Sequence, residues 1–115
     1  MKKILVFGAS NSRESINRKL AIYGASQLEG FEINLIDMND FDMPIFGVDK
    51  EKESGIPEEA YHFRNLIGQS DGVLASFAEH NGSYTSVFKN LMDWTSRIEG
   101  TLWQGKTLFF MASSP

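Results

Sequence analysis

Residues 4–7, Ile-Leu-Val-Phe, form an apolar run with no polar residue inside it. A strand with one face in water alternates apolar and polar residues. A run without alternation must be covered on both faces, as the strands of a parallel sheet are. Residues 72–77, Gly-Val-Leu-Ala-Ser-Phe, are nearly all apolar in the same way. Any fold for this chain therefore needs helices on both sides of a sheet.

The intervening sequence supplies them. Residues 15–28 carry Ile16, Leu20, Ile22, Tyr23 and Leu28 at roughly helical spacing and close at Glu29-Gly30, which predicts a first helix. Residues 31–37 alternate, with Phe31, Ile33 and Leu35 on one side, and read as a second strand. Strand, helix, strand with short joints is a right-handed crossover unit. Residues 38–56 show no clear period and read as a long loop, which in a compact domain is usually functional or a partner surface. Its apolar part, residues 41–46, should either fold back on the chain's own core or meet a second subunit.

Pro57 suits the start of a helix, where a missing N–H costs nothing, and Glu58 and Glu59 suit its first turn. That helix should reach about Gln69, and residues 72–77 follow as the third strand. Ser86 is expected to cap a helix with Val87, Phe88, Leu91, Met92 and Trp94 or Trp103 facing inward, and residues 106–112 form the fourth strand. The alternation gives an α/β fold with an open, doubly wound parallel sheet.

Composition excludes several function classes. The chain has 115 residues and no cysteine, so disulfides and thiolate chemistry are absent. His62 and His80 are the two histidines, too few and too far apart for a zinc motif. A net charge of −4 disfavours nucleic acid as the main partner. The apolar run after Lys2 and Lys3 stops at Gly8, too short for a signal peptide or a membrane span. The expectation is a single soluble, cytoplasmic domain.

Ligands on a doubly wound sheet bind outside the carboxyl ends of the strands. Three stretches fall there: residues 9–17 after the first strand, 78–85 after the third, and 113–115 after the fourth. The first reads Ala-Ser-Asn-Ser-Arg-Glu-Ser-Ile-Asn and leads into a helix. Free N–H groups and the helix dipole at such a place favour a phosphate, and the serines and asparagine add donors. The plainer reading is an N-cap by Ser12 or Ser15. Neither the three-glycine dinucleotide fingerprint nor the Gly-Lys-Ser/Thr phosphate loop is present. In the second stretch, Asn81-Gly82 reads either as an ordinary tight turn or as a close backbone approach to a planar ligand, with Asn81 donating and accepting at its edge.

Taken together, these two stretches resemble the NADPH-dependent FMN reductase family of flavodoxin-like proteins, which includes azo-dye, quinone and chromate reductases. The family's phosphate loop runs roughly Gly-Ser-x-Arg-x-x-Ser-x-Asn, with Leu-Ala in the next helix. Ser10, Ser15, Asn17 and Leu20-Ala21 match it in register; Ala9 stands in the place of its glycine and Ser12 in the place of its arginine, with Arg13 one residue later. The family's flavin-ring loop, Pro-Glu-Tyr-Asn-Gly-Ser before a helix bearing Leu-Lys-Asn and Asp-Trp, is similar to Ala78-Glu79-His80-Asn81-Gly82-Ser83, Phe88-Lys89-Asn90 and Asp93-Trp94. Met43-Pro44-Ile45-Phe46 is similar to a proline-containing loop of the family, and Ser113-Ser114-Pro115 to the start of its third flavin-side loop.

The resemblance implies a flavodoxin-like three-layer sandwich, its parallel sheet ordered 2-1-3-4 and then 5. The sequence stops inside a presumed binding loop, so the fifth strand and last helix are expected to be missing from one flavin-binding domain spanning 1–115. FMN is the implied cofactor and NADPH or NADH the donor. The implied contacts are Ser10, Ser12, Arg13, Ser15, Ile16 and Asn17 at the phosphate, and Ala78, Glu79, His80, Asn81, Gly82, Ser83 and Ser113 around the ring. No side chain is assigned to catalysis and no metal is expected, since the cofactor carries the chemistry. A homodimer is implied, with residues 41–46 and the region of Trp94 as candidates for its interface. The implied activity is hydride transfer from a nicotinamide to FMN and on to a quinone, an azo dye or free flavin. Two rivals are a flavodoxin-like electron carrier without enzymatic activity and a domain that kept the fold and lost the cofactor.

Overall fold

A computed structural model describes residues 2–9, 16–78 and 86–113. Four strands, β1 (Lys2–Gly8), β2 (Phe31–Leu35), β3 (Gly72–Ala78) and β4 (Thr107–Ser113), form one parallel sheet in the order β2-β1-β3-β4. Leu5 of β1 faces Asn34 of β2 and Val73 of β3, and Val73 in turn faces Leu108 of β4. The four helices are α1 (Ile16–Ser26), α2 (Val48–Ser54), α3 (Glu58–Gly68) and α4 (Ser86–Thr95). This is the expected flavodoxin-like order through its fourth strand.

The two non-alternating runs lie at the centre. Alternate residues of β1 and β3 feed opposite cores: Leu5, Phe7, Val73, Ala75 and Phe77 point to the α3 and α4 side, and Ile4, Val6 and Leu74 to the α1 side. On the first side Phe7 meets Phe63 of α3 edge-on at 5.6 Å and stacks near Phe88 of α4 at 6.0 Å. Edge-to-face aromatic pairs add directional attraction to the area they bury. Leu91 and Trp94 are also fully buried there, and Val87, Met92 and Trp103 partly.

The α1 side differs from expectation. The sheet-facing stripe of α1 consists of small residues, with Ala21 and Ala25 buried, while Ile22 and Tyr23 are exposed. Gly24 explains the geometry, because a Cβ there would sit 3.0 Å from Met111 Sδ and 3.2 Å from Leu74 Cδ2. The helix lies so close to the sheet that large side chains are pushed to its flanks. Ile22 instead joins Val6, Ala25, Ser26, Ile33 and Leu35 around an open groove between α1 and β2.

Residues 38–56 are not one loop. β2 ends at Leu35, and Asp37 caps a 3-10 turn, Met38–Phe41, its carboxylate accepting from the Asn39 N–H at 2.9 Å. Met38 and Phe41 are buried, Phe41 edge-on to Phe63 at 5.4 Å, so the segment folds back on its own core. α2 follows and buries no residue. It is held from outside, where the Arg97 guanidinium grips the Glu51 carboxylate through Nε and Nη2 at 2.9–3.1 Å. Pro57 immediately precedes α3 and its carbonyl accepts from the Ala60 N–H, as its fixed φ suggests. Ser86 is the first residue of α4, not the residue before it.

Candidate functional site

Because the sheet is parallel, all strand carboxyl ends reach one edge. β1 ends at Gly8, beside Ser76; β3 runs two residues further and ends at Ala78, paired with Ser113 of β4. The chain leaving β1 stays on that edge: the Ala9 N–H donates to the Ser76 carbonyl at 2.8 Å, and Ala9 is buried in the larger core. Its methyl group thus does packing work at the position where the resembling family has glycine.

Helix starts lie at the same end. Ile16 and Asn17 open α1, so their N–H groups are among those left without intrahelical partners. α4 opens at Ser86, just past the second expected binding stretch. Of the four helices, α2 and α3 carry acids in the first turn, namely Asp49 and Glu51, and Glu58 and Glu59; α1 and α4 carry none. An acid there would compete with a bound anion for the helix dipole. The two helices that follow the expected binding stretches are the two left uncompensated, although Glu14 precedes α1 in the sequence.

Among the expected site residues, Ile16, Asn17, Ala78 and Ser113 are therefore brought to one edge by the backbone. Ser10, Ser12, Arg13, Ser15, Glu79, His80, Asn81, Gly82 and Ser83 lie outside the described residues.

A further group at this edge was not assigned from sequence. The Asn90 side chain accepts from the Phe46 N–H at 2.8 Å and donates to the carbonyls of Pro44 at 3.0 Å and Met43 at 3.3 Å. The Trp94 indole N–H donates to the same Pro44 carbonyl at 2.7 Å, and Phe46 packs edge-on against that indole at 5.0 Å. Donor and acceptor demands fix the orientation of the Asn90 amide. The signal was present in the sequence as the Asn and Trp of the α4 motif, but their partners lie 44 to 50 residues away. Trp94 is fully buried, which removes its side chain from the expected subunit interface. Asp93 pairs with Lys89 at the surface.

The sequence profile of a family described as NADPH-dependent FMN reductase matches residues 2–115. The chain belongs to this family. A relative, 2-hydroxy-1,4-benzoquinone reductase of Burkholderia sp, is 36% identical over 106 residues, covering 90% of this chain and 56% of the relative. The flavoenzyme NAD(P)H:(acceptor) oxidoreductase FerB from Paracoccus denitrificans is similar in structure, with a TM-score of 0.76, 31% identity, and coverage of 97% of this chain and 60% of that one. An FMN-dependent NADH-azoreductase from Bacillus anthracis str. Ames Ancestor, solved in complex with FMN, shares the fold at a TM-score of 0.67 and 16% identity, covering 99% of this chain and 69% of its own. The chain thus spans somewhat over half the length of the first two.

The family's cofactor fits the residues present. A phosphate suits a helix start free of first-turn acids, and the preceding hydroxyls and Asn17 are neutral donors that need no counter-charge. β3 and β4 end together at Ala78 and Ser113, on the edge where a doubly wound sheet takes its ligands.

Proposed function

We propose that this chain is the flavin-binding domain of an NAD(P)H-dependent FMN reductase. The observation that carries the reading is the meeting of three strand ends and two acid-free helix starts at one edge of the sheet. The phosphate would lie at Ser10, Ser12, Arg13, Ser15, Ile16 and Asn17, held by backbone N–H groups and hydroxyls. The ring would lie against Ala78, Glu79, His80, Asn81, Gly82 and Ser83, with Ser113 closing the far side. When bound, FMN supplies the redox chemistry, taking a hydride from the nicotinamide and passing reducing equivalents to a small acceptor.

The chain's own part is to bind and orient. Backbone N–H groups carry the phosphate field, Asn81 offers one donor and one acceptor to the ring edge, and Gly82 lets the main chain approach it. No side chain is asked to move a proton. A quinone, an azo dye or free flavin is the acceptor class, and the quinone is favoured by the named activity of the Burkholderia relative.

We place the protein in the cytoplasm, where a nicotinamide donor is available; no helix among the described residues is long and apolar enough to cross a membrane. A homodimer is the expected assembly. With Trp94, Phe41 and Met43 buried, the accessible part of its candidate interface is residues 44–46 with Asp42.

Titration with FMN, following flavin fluorescence and melting temperature together, tests this reading. Saturable quenching with a rising melting point is expected, followed by NADPH oxidation when a quinone is added. Binding without NADPH turnover would instead favour an electron carrier, and no binding a domain without cofactor.

A further inference from the structure

Segment 43–46 is irregular chain, yet side chains of α4 fasten its backbone. Asn90 and Trp94 satisfy the Met43 and Pro44 carbonyls and the Phe46 N–H, and Phe46 packs on the Trp94 indole. An ordinary surface connection satisfies such groups with water. The product of this fastening is one apolar side chain held outward: Ile45 is 87% exposed while Met43 is buried and Phe46 half-buried on either side of it.

The location gives that side chain a use. The chain leaves β2 at the carboxyl edge where the candidate site lies, and after the turn Met38–Phe41 this segment is tied to α4, the helix that starts at that edge. Its anchor, Asn90, stands four residues into α4, about 6 Å along the axis from the helix start that follows residues 79–83. A fixed apolar group at the rim of a flavin site suits a flat, largely apolar acceptor, which gains contact area without the cost of ordering a loop.

We propose that Asn90 and Trp94 are positioning residues that hold Ile45 as an apolar wall for a quinone-type acceptor. This inference rests on the flavin reductase reading above. Neither residue touches the acceptor; each acts through the backbone of Pro44 and Phe46.

The test uses the FMN-loaded protein with NADPH and benzoquinone, comparing Asn90→Ala, Trp94→Phe, Ile45→Ala and Ile45→Leu. Trp94→Phe removes the N–H donor and part of the indole's volume but keeps an aromatic ring in the core, a milder change than truncation to alanine. The acceptor KM is expected to rise about tenfold in Asn90→Ala and Ile45→Ala, somewhat less in Trp94→Phe, with kcat changing far less than KM. Ile45→Leu should restore most of the loss. Independent of turnover, hydrogen exchange at the Phe46 amide should quicken at least about tenfold in Asn90→Ala and stay slow in Ile45→Ala.

Faster Phe46 exchange with an unmoved acceptor KM would overturn the positioning role while leaving the reductase reading intact. A fall in oligomeric mass in Ile45→Ala, again with KM unmoved, would assign the side chain to assembly and equally overturn it. If the parent protein fails to bind FMN, the reductase reading falls and this inference falls with it.

Discussion

Trp94 is among the largest fully buried side chains, and its one polar atom is satisfied by a residue 50 positions away. Trp94→Phe should therefore cost about 1–2 kcal/mol in urea unfolding, mainly for the lost hydrogen bond. Trp94→Ala should cost about 3–5 kcal/mol through the cavity it leaves. Asn17 is tested in other terms, because it opens α1 and is assigned to the ligand. Asn17→Ala should weaken FMN binding by about 1–3 kcal/mol, the worth of a hydrogen bond to a charged group, with the melting temperature of the ligand-free protein little changed. Equal affinities by fluorescence titration would remove Asn17 from the phosphate site. Gly24 poses a third question at this scale. Alanine would gain about 1 kcal/mol of helix propensity, but its Cβ would crowd Met111 and Leu74, whose contacts at 3.0 and 3.2 Å lie at the ends of flexible side chains. A net change in stability of less than about 1 kcal/mol is the expected outcome, because the two effects oppose.

Elements differed in how plainly the sequence announced them. β1 and β3 were legible because a strand buried on both faces has no polar alternation to confuse it, and α4 because Phe88, Leu91 and Trp94 recur at helical spacing. α2 was not. It buries nothing, so it has no apolar stripe, and its remaining signals were local: a run of helix formers, Asp49 to Glu53, between Gly47 and a Gly55 with φ of +75°. The inward face of α1 is hard to read for the opposite reason, since Ala21, Gly24 and Ala25 look featureless until the closeness of the sheet is known. In the candidate site, strand ends and helix starts followed from element order, whereas the Asn90 and Trp94 bonds to segment 43–46 are non-local and no spacing encodes them.

The Arg97–Glu51 fastening of α2 has a pH signature. Hydrogen bonding to Arg97, with its charge, holds the Glu51 carboxyl below the ordinary carboxylate range, and Arg97 is correspondingly raised. A lowered carboxyl contributes stability above its unfolded value and loses it as pH falls through the folded one. Arg97 stays protonated throughout that window, so the loss tracks Glu51 alone. Protection of the amides of residues 48–54, measured against their intrinsic exchange rates, should fall on acidification below the carboxylate range, and Glu51→Gln should show that lower protection already at neutral pH. Because the Arg97 side chain is 48% exposed, high salt should weaken the same contact.

The molecule as a whole is fastened unequally on its two sides. Among the described residues, the core under α3 and α4 gathers sixteen buried side chains, eight of them aromatic or methionine, while the core under α1 has five. β2 adds little, for its residues are mostly exposed and its pairing partner is β1. Local opening takes the least buried units first, and beside α2, which buries nothing, those are β2 and α1. The start of α1 is also where the cofactor's phosphate is proposed to rest. Warming should then release flavin before the sheet melts: emission from freed FMN would climb at a lower temperature than the one at which the far-ultraviolet dichroism collapses. Grip and architecture would fail in sequence, leaving an intermediate that has lost its colour but kept its shape.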